Sequence, residues 1–343
     1  MRLVFISLVL VVFTACERPK EAPKFTSVSV TDVHVDSFSV RAITFLDKNT
    51  LAFAGNKGLY GSVDINLGKV MTNTMRYDTI TPEFRAVANT KSDFFMLSVG
   101  SPALLYKTGN NGQMQLVYKE EGDGVFYDAL SFFDDKDGIA IGDSGHGCLA
   151  ILLTRDGGET WSKVSCESLP RAEEGEGAFA ASNTNIETIG DKVWVATSAG
   201  RIYFSADRGD HWQVINTPMG SDVETQGIYS IDFYNENAGF AIGGDYTQPQ
   251  DNEKNKIRTD DGGATWTAMA EGRDPGYKSC VQFVPNTYGE GLVAVGFTGI
   301  SYSSDGGNRW AELSKEGFYT LHFINDSVAY AAGKNRISRL TFK

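Results

Sequence analysis

Short runs of alternating apolar and polar residues return along the chain at a nearly regular pitch. Seven segments open alike, with an aromatic or apolar residue starting a β-rich stretch: Val40-Arg41-Ala42-Ile43, Phe84-Arg85-Ala86-Val87, Phe126-Tyr127-Asp128-Ala129, Phe179-Ala180-Ala181-Ser182, Ile228-Tyr229-Ser230-Ile231, Tyr277-Lys278-Ser279-Cys280 and Phe318-Tyr319-Thr320-Leu321. A polar turn follows each opening, then a strand of small and apolar residues, as at 51–55, 138–142, 193–197, 239–243, 292–296 and 328–333. A third strand comes next, for example 201–205, then a glycine turn and a fourth strand. Runs this short with period-two patterning read as β-strands. Four strands per unit, with units 41 to 53 residues apart, describe a propeller blade.

The turn between third and fourth strands is written four times in one frame, Ser/Thr-x-Asp-x-Gly-x-x-Trp, at 154–161, 205–212, 259–266 and 303–310. Its Asp and Trp positions are Asp156 and Trp161, Asp207 and Trp212, Asp261 and Trp266, and Asp305 and Trp310. A worn copy lies at 108–115. The Asp side chain accepts backbone N–H groups of the turn, the Gly takes a positive φ, and the Trp begins the return strand with a large apolar surface. These are structural turn residues. The last unit, 318–343, supplies three strands, while 25–30 (FTSVSV) is a spare strand with no unit of its own. The spare strand is expected to complete the last blade and remove its open edge. The expected fold is all-β: a single closed seven-bladed β-propeller over 25–343, with four-stranded antiparallel blades.

The repeated frame resembles the Asp-box of BNR-repeat and sialidase-like β-propellers. Together with the second strands DGIAIGD (137–143) and AGFAIGGDY (238–246), it makes the chain after Lys24 similar to the photosystem II stability/assembly-factor family and its relatives outside photosynthesis. That resemblance implies an exported seven-bladed propeller serving as an assembly or binding factor. Phe84-Arg85-Ala86-Val87 is similar to the Phe-Arg-Ile-Pro opening of sialidases but lacks Ile and Pro, and only Arg41 and Arg85 are placed for an arginine triad.

Composition narrows the partners. The 343 residues carry 31 basic and 43 acidic side chains, a net charge of −12, which excludes nucleic acid or an anionic membrane surface as the main partner. With 41% hydrophobic and 12% aromatic residues, the chain has ample material for a core, and a monomer is expected. The N-terminus reads as a targeting segment: Arg2, then an apolar run of 11 residues at 3–13, too short to span a bilayer. It ends Phe13-Thr14-Ala15-Cys16, similar to the lipobox of bacterial lipoproteins. The similarity implies a signal peptide at 1–15, lipidation of Cys16, a polar tether over 16–24, and a place in the bacterial cell envelope, periplasmic or surface-exposed. Contact with the membrane would then run only through the anchor. The alternative is an ordinary secretory signal in which Cys16 is incidental.

Cys148 and Cys166 flank the 154–161 turn almost symmetrically, so a hairpin sets them nearly opposite each other, and an exported location permits a disulfide. Cys280, in an apolar strand, is expected as a buried thiol. The chain has no CxxC or HExxH, and His34, His146, His211 and His322 do not cluster, so neither metal nor cofactor is expected. Asp134-Asp135-Lys136-Asp137-Gly138 superficially suggests a calcium loop, but it stands where Asn235–Gly239 stands in its own unit, and reads as a turn.

In a propeller the first strands line the channel, and the loops entering them share one face, opposite the glycine turns. The long insertions 165–177 and 244–256 fall on that mouth face, where binding usually lives. Candidate binding residues there are Arg41, Arg85, Tyr127, Asp128, Asp143, Glu176, Tyr229, Asp245, Tyr246, Tyr277 and Lys278, with His146, Glu174 and Tyr319 nearby. They suit a protein partner or a carbohydrate-like, carboxylate-bearing ligand. The expected function is therefore binding or assembly, with no catalytic residue assigned. The alternative is a glycoside hydrolase using mouth carboxylates, with Asp128 and Asp245 as candidates.

Overall fold

The structure, a computed structural model, describes residues 24–109, 111–145 and 147–343. The signal segment, Cys16, most of the tether and His146 lie outside the described residues.

The strands form six antiparallel sheets arranged as blades. Blade 2 is Phe84–Asn89, Phe94–Ser98, Ala103–Thr108 and Met114–Glu120; blade 3 is Tyr127–Phe132, Gly138–Ser144, Leu149–Thr154 and Ser162–Lys163. Blade 4 is Ile186–Ile189, Lys192–Ala196, Arg201–Ser205 and Gln213–Asn216, and blade 5 is Gln226–Phe233, Gly239–Asp245, Lys256–Thr259 and Thr267–Ala268. Blade 6 is Cys280–Phe283, Leu292–Gly296, Gly299–Ser303 and Ala311–Ser314. Blade 1 has six strands, in the order Thr320–Phe323, Val328–Phe342, Val28–Asp47, Thr50–Gly55, Leu59–Asp64, Lys69–Thr74.

The expectation of seven four-stranded blades is thereby corrected to six, five of four strands and one of six. The first and last sequence units share one sheet because two of its strands are unusually long. Val28–Asp47 runs for 20 residues, pairing with Val328–Phe342 from Val28 to Ser39 and with Thr50–Gly55 from Val40 onward. The segment at 25–30 is therefore no spare strand completing a separate last blade; from Val28 it runs straight into the first unit.

Burial grades outward along each blade. Second strands such as Phe94–Ser98, Gly239–Asp245 and Leu292–Gly296 are buried at every position, because both their faces meet neighbouring blades. The outermost strand Lys69–Thr74 is exposed at nearly every position. Apolar clusters accordingly form between blades: Phe95, Leu97 and Leu105 of blade 2 pack with Leu130, Ala140 and Leu152 of blade 3.

The four repeated turns share one set of hydrogen bonds. At the first, Thr154 Oγ1 accepts Gly158 N–H (2.9 Å), Asp156 Oδ1 accepts Thr160 N–H (3.0 Å), and Trp161 Nε1 donates to Gly158 O (3.3 Å). The other three repeat the pattern. Gly307 shows why glycine is needed: its φ is +91°, and a Cβ there would lie 2.3 Å from the Phe240 ring of the preceding blade. Each such turn thus docks on its neighbour as well as closing its own hairpin.

Candidate functional site

The turns between first and second strands meet the repeated glycine turns: Gly157 N–H donates to Lys136 O (2.8 Å), Gly262 to Asn237 O (2.8 Å) and Gly306 to Glu290 O (2.9 Å). Those two sets of turns therefore occupy one face, and the starts of the first strands occupy the other. The segment at 134–138 is a turn, with Asp134 Oδ1 accepting the N–H groups of Lys136 and Asp137 at 2.8 Å each. Asn235 does the same for Asn237 and Ala238. Arg208 engages Asp134 and Asp137 of this turn and Asp191 of blade 4, while Lys91 engages Asp135.

Between the two faces the channel is blocked. Phe179-Ala180-Ala181-Ser182, expected to open an inner strand, belongs to no strand; blade 4 begins only at Ile186. The segment crosses the channel instead. Ala181 O accepts from Arg41 Nη1 (3.4 Å) and Ser182 O from Thr320 Oγ1 (3.0 Å), both groups of blade 1. Asn183 donates to Val87 O of blade 2 (2.8 Å) and accepts from Leu130 N–H of blade 3 (2.9 Å). Thr184 bonds Ser230 Oγ (2.7 Å) and Ile231 N–H (2.7 Å) of blade 5. Asn183 sits at φ +62°, a conformation Asn tolerates better than most residues. One short segment is thus held by four other blades.

Above this crossing, on the face away from the turns, lies a cavity of about 380 Å³ lined by Arg41, Arg85, Phe179, Ala180, Ala181, Tyr229, Tyr246, Tyr277, Phe297 and Tyr319. Its walls are aromatic. Phe179 stacks on Tyr229 with centroids 3.7 Å apart and planes within 4°, Tyr277 meets Tyr229 edge-on at 4.8 Å, and Phe297 lies 5.3 Å from Tyr277. Tyr246 and Phe297 are each 47% exposed, so the rim is open. Arg41 lies over the Tyr319 ring, 4.1 Å from its centroid, and makes no ion pair among the described residues. Burial, and then the charge of Arg85, hold its guanidinium below the ordinary value. Arg85 is paired with Glu83, donating from Nε at 2.8 Å and Nη2 at 2.6 Å to one carboxylate oxygen.

Of the sequence candidates, the cavity thus gathers Arg41, Arg85, Tyr229, Tyr246 and Tyr277, together with Tyr319. The others are placed elsewhere. Tyr127 is buried and donates to Glu120 (2.6 Å). Glu176 is enclosed by Arg201, Thr197 and Tyr203. Lys278 is buried, donating to Thr298 Oγ1 (3.0 Å) and Gly299 O (3.1 Å). Asp143 accepts from Ala178 N–H (3.2 Å). Cys148 and Cys166 are joined as a disulfide with Cα atoms 5.6 Å apart, and Cys280 is a buried thiol.

Asp128 and Asp245 do not line the cavity. Asp128 is fully buried, with no hydrogen-bond partner for either oxygen among the described residues; burial first, then Asp143, hold its carboxyl well above the ordinary range. Asp245 is occupied by Thr247, which donates from N (2.8 Å) and Oγ1 (2.7 Å). Sequence reasoning did not single out Phe179 and Phe297 as cavity walls. For Phe297 a signal existed: an aromatic in the tight turn Gly296-Phe297-Thr298-Gly299, where its side chain must stand at the surface.

No protein-family model matches the chain, and no curated protein matches it either. Solved structures do. The chain is similar to YCF48 bound to D1 peptide, with 13% identity and a TM-score of 0.66 over 94% of this chain and 98% of that one. It is similar to the RRP9 WD40 repeats, with 9% identity and a TM-score of 0.65 over 94% and 99%, and to YCF48 from Cyanidioschyzon merolae, with 13% identity and a TM-score of 0.63 over 92% and 98%. At such identities the likeness establishes the fold: this chain is a β-propeller.

Proposed function

We propose that the chain is a binding or assembly module of the bacterial cell envelope, exported and held by a lipid on Cys16, that takes a segment of a partner protein into the cavity of Arg41, Arg85 and Tyr277. Its four repeated turns are Asp-boxes of the BNR kind. One observation carries the reading: an aromatic-walled, open cavity presents a guanidinium, Arg41, that no carboxylate of the described residues pairs. A cation held over an aromatic ring in a protein of net charge −12 favours a ligand that brings its own negative charge. The aromatic walls favour an apolar or aromatic side chain beside that charge. The solved propeller that holds a D1 peptide supports a peptide as the class of ligand. The burial of Asp128 and the occupation of Asp245 count against hydrolysis of a glycoside by that pair.

The test is a peptide array in which carboxylate position and aromatic content are varied independently, followed by titration calorimetry on the tightest peptide. Acidic, aromatic-bearing peptides are expected to bind, with Arg41→Gln weakening them about ten-fold or more. Binding that ignores peptide charge, or survives Arg41→Gln/Arg85→Gln unchanged, would overturn the assignment.

A further inference from the structure

Beneath the crossing segment the channel opens again, toward the turn-bearing face, into a second cavity of about 210 Å³. Thr44, Asn89, Ser131, Glu187, Gln282 and His322 line it, each from a different strand. Several are fixed by their neighbours. Asn89 Oδ1 accepts the Thr44 hydroxyl (2.6 Å), Gln282 Oε1 accepts Phe323 N–H (3.1 Å), and Ser131 bonds Thr188 (3.0 Å). Two groups are left over. Glu187 makes no ion pair among the described residues; its carboxyl meets the Thr188 N–H and Asp232, and it faces the cavity. His322 Nδ1 is sealed from solvent with no hydrogen-bond partner. Beside Glu187 stands Asp232, whose Oδ2 accepts Phe283 N–H (2.6 Å) but meets no cation. No lysine or arginine lines the cavity.

The lining thus holds hydroxyls, amides, an imidazole and a carboxyl, with a second carboxyl behind, and nothing cationic to balance them. We propose that this cavity is a binding site for a primary ammonium group, borne by a small amine or by a lysine side chain, with Glu187 as its counter-ion. Three N–H donors on a compact head match oxygen acceptors arranged around a small space. A divalent metal ion fits less well: no group of three or more His, Cys, Asp or Glu among the described residues is placed to hold one. Without a ligand, the carboxyls answer their burial by keeping protons. Burial, and then Asp232, hold Glu187 well above its ordinary range, and burial raises Asp232 to about 7. The other titratable groups nearby are His322, which burial keeps below its ordinary value, and the buried Cys280 thiol beside Asp232. An ammonium ion stabilises the ionised form of Glu187, so binding releases a proton wherever the free carboxyl still holds one. The proposal does not rest on the partner proposed for the mouth.

Titration calorimetry of the full chain at pH 7 tests the assignment, in phosphate and in MOPS, whose ionisation enthalpies differ. The probes are methylammonium chloride and Nα-acetyl-lysine methylamide, with potassium and calcium chlorides as controls. Saturable one-to-one binding is expected, with net proton release measured from the difference between buffers. Glu187→Gln, checked for native circular dichroism, should weaken binding about ten-fold or more and abolish proton release. Asp232→Asn should reduce proton release while keeping affinity. Binding of both probes assigns a lysine side chain, and binding of methylammonium alone assigns a small amine. No saturable heat with either amine, equal binding by potassium or calcium, or an unaltered Glu187→Gln variant would overturn the proposal.

Discussion

Lys256 is fully buried, yet its ammonium group meets only neutral oxygens, Pro275 O at 2.9 Å, Arg273 O at 3.0 Å and the Asn255 side chain. With no carboxylate in contact, burial wins over more distant charges and lowers its pKa to about 8. The sign follows directly. Between pH 8 and the unfolded value the unfolded chain binds more protons than the folded one, so stability rises with pH through that window. The stability that Lys256 removes should shrink by about 2 kcal/mol between pH 7 and 9.5. Urea unfolding of the wild type against Lys256→Met at those two pH values measures the difference. A parallel pH dependence in both proteins would show that the buried ammonium is not its source.

At the scale of elements, the crossing segment at 179–185 is the least expected feature and the easiest to perturb. Asn183→Ala removes hydrogen bonds to Val87 O and Leu130 N–H and leaves a Cβ residue at φ +62°. Orphaned backbone groups and the strained backbone together should lower the free energy of unfolding by about 2–4 kcal/mol. Asn183→Gly loses the same bonds but accepts the backbone, so it should recover about 1 kcal/mol of that loss. Equal losses in both variants would mean that the backbone conformation is not a cost. The sequence showed the repeated turns plainly because their hydrogen bonds span at most four residues and need particular side chains. It did not reveal the crossing segment, because Phe179-Ala180-Ala181-Ser182 has the same apolar opening as a true first strand, and only long-range contacts distinguish them. Arg85 and Tyr277 were legible as cavity residues because they sit at or just before the start of first strands, and Arg41 because it stands where Val28–Asp47 takes up its pairing with Thr50–Gly55. Asp128 and Glu176 share that neighbourhood, but their side chains point into packed interior, which the pattern alone does not separate from the channel wall.

Over the whole molecule, the blade count was misread for a related reason. Seven openings were visible, but nothing marks where a sheet ends: 28–47 contains neither glycine nor proline to break it, and its alternation continues through the expected boundary. The resulting pairing of Val28–Asp47 with Val328–Phe342 covers Ile337, Leu340 and Phe342, all buried. Deleting residues 25–35 should expose this apolar edge. Size-exclusion chromatography is expected to show self-association of the truncated chain, with a lower urea midpoint. A monomer of unchanged midpoint would show that the ring does not depend on this pairing.

The same pairing sets an order in time. Thr26 N–H donates to Lys343 O at 2.7 Å, so the earliest and latest parts of the propeller are hydrogen-bonded to each other. A chain that emerges N-terminus first presents Val28–Ser39 more than 280 residues before its partner strand exists. At roughly 5–20 residues per second, that first strand waits on the order of 15–60 seconds with its donors and acceptors unmatched. For that interval it is open to a chaperone, a protease or the same strand of another nascent copy.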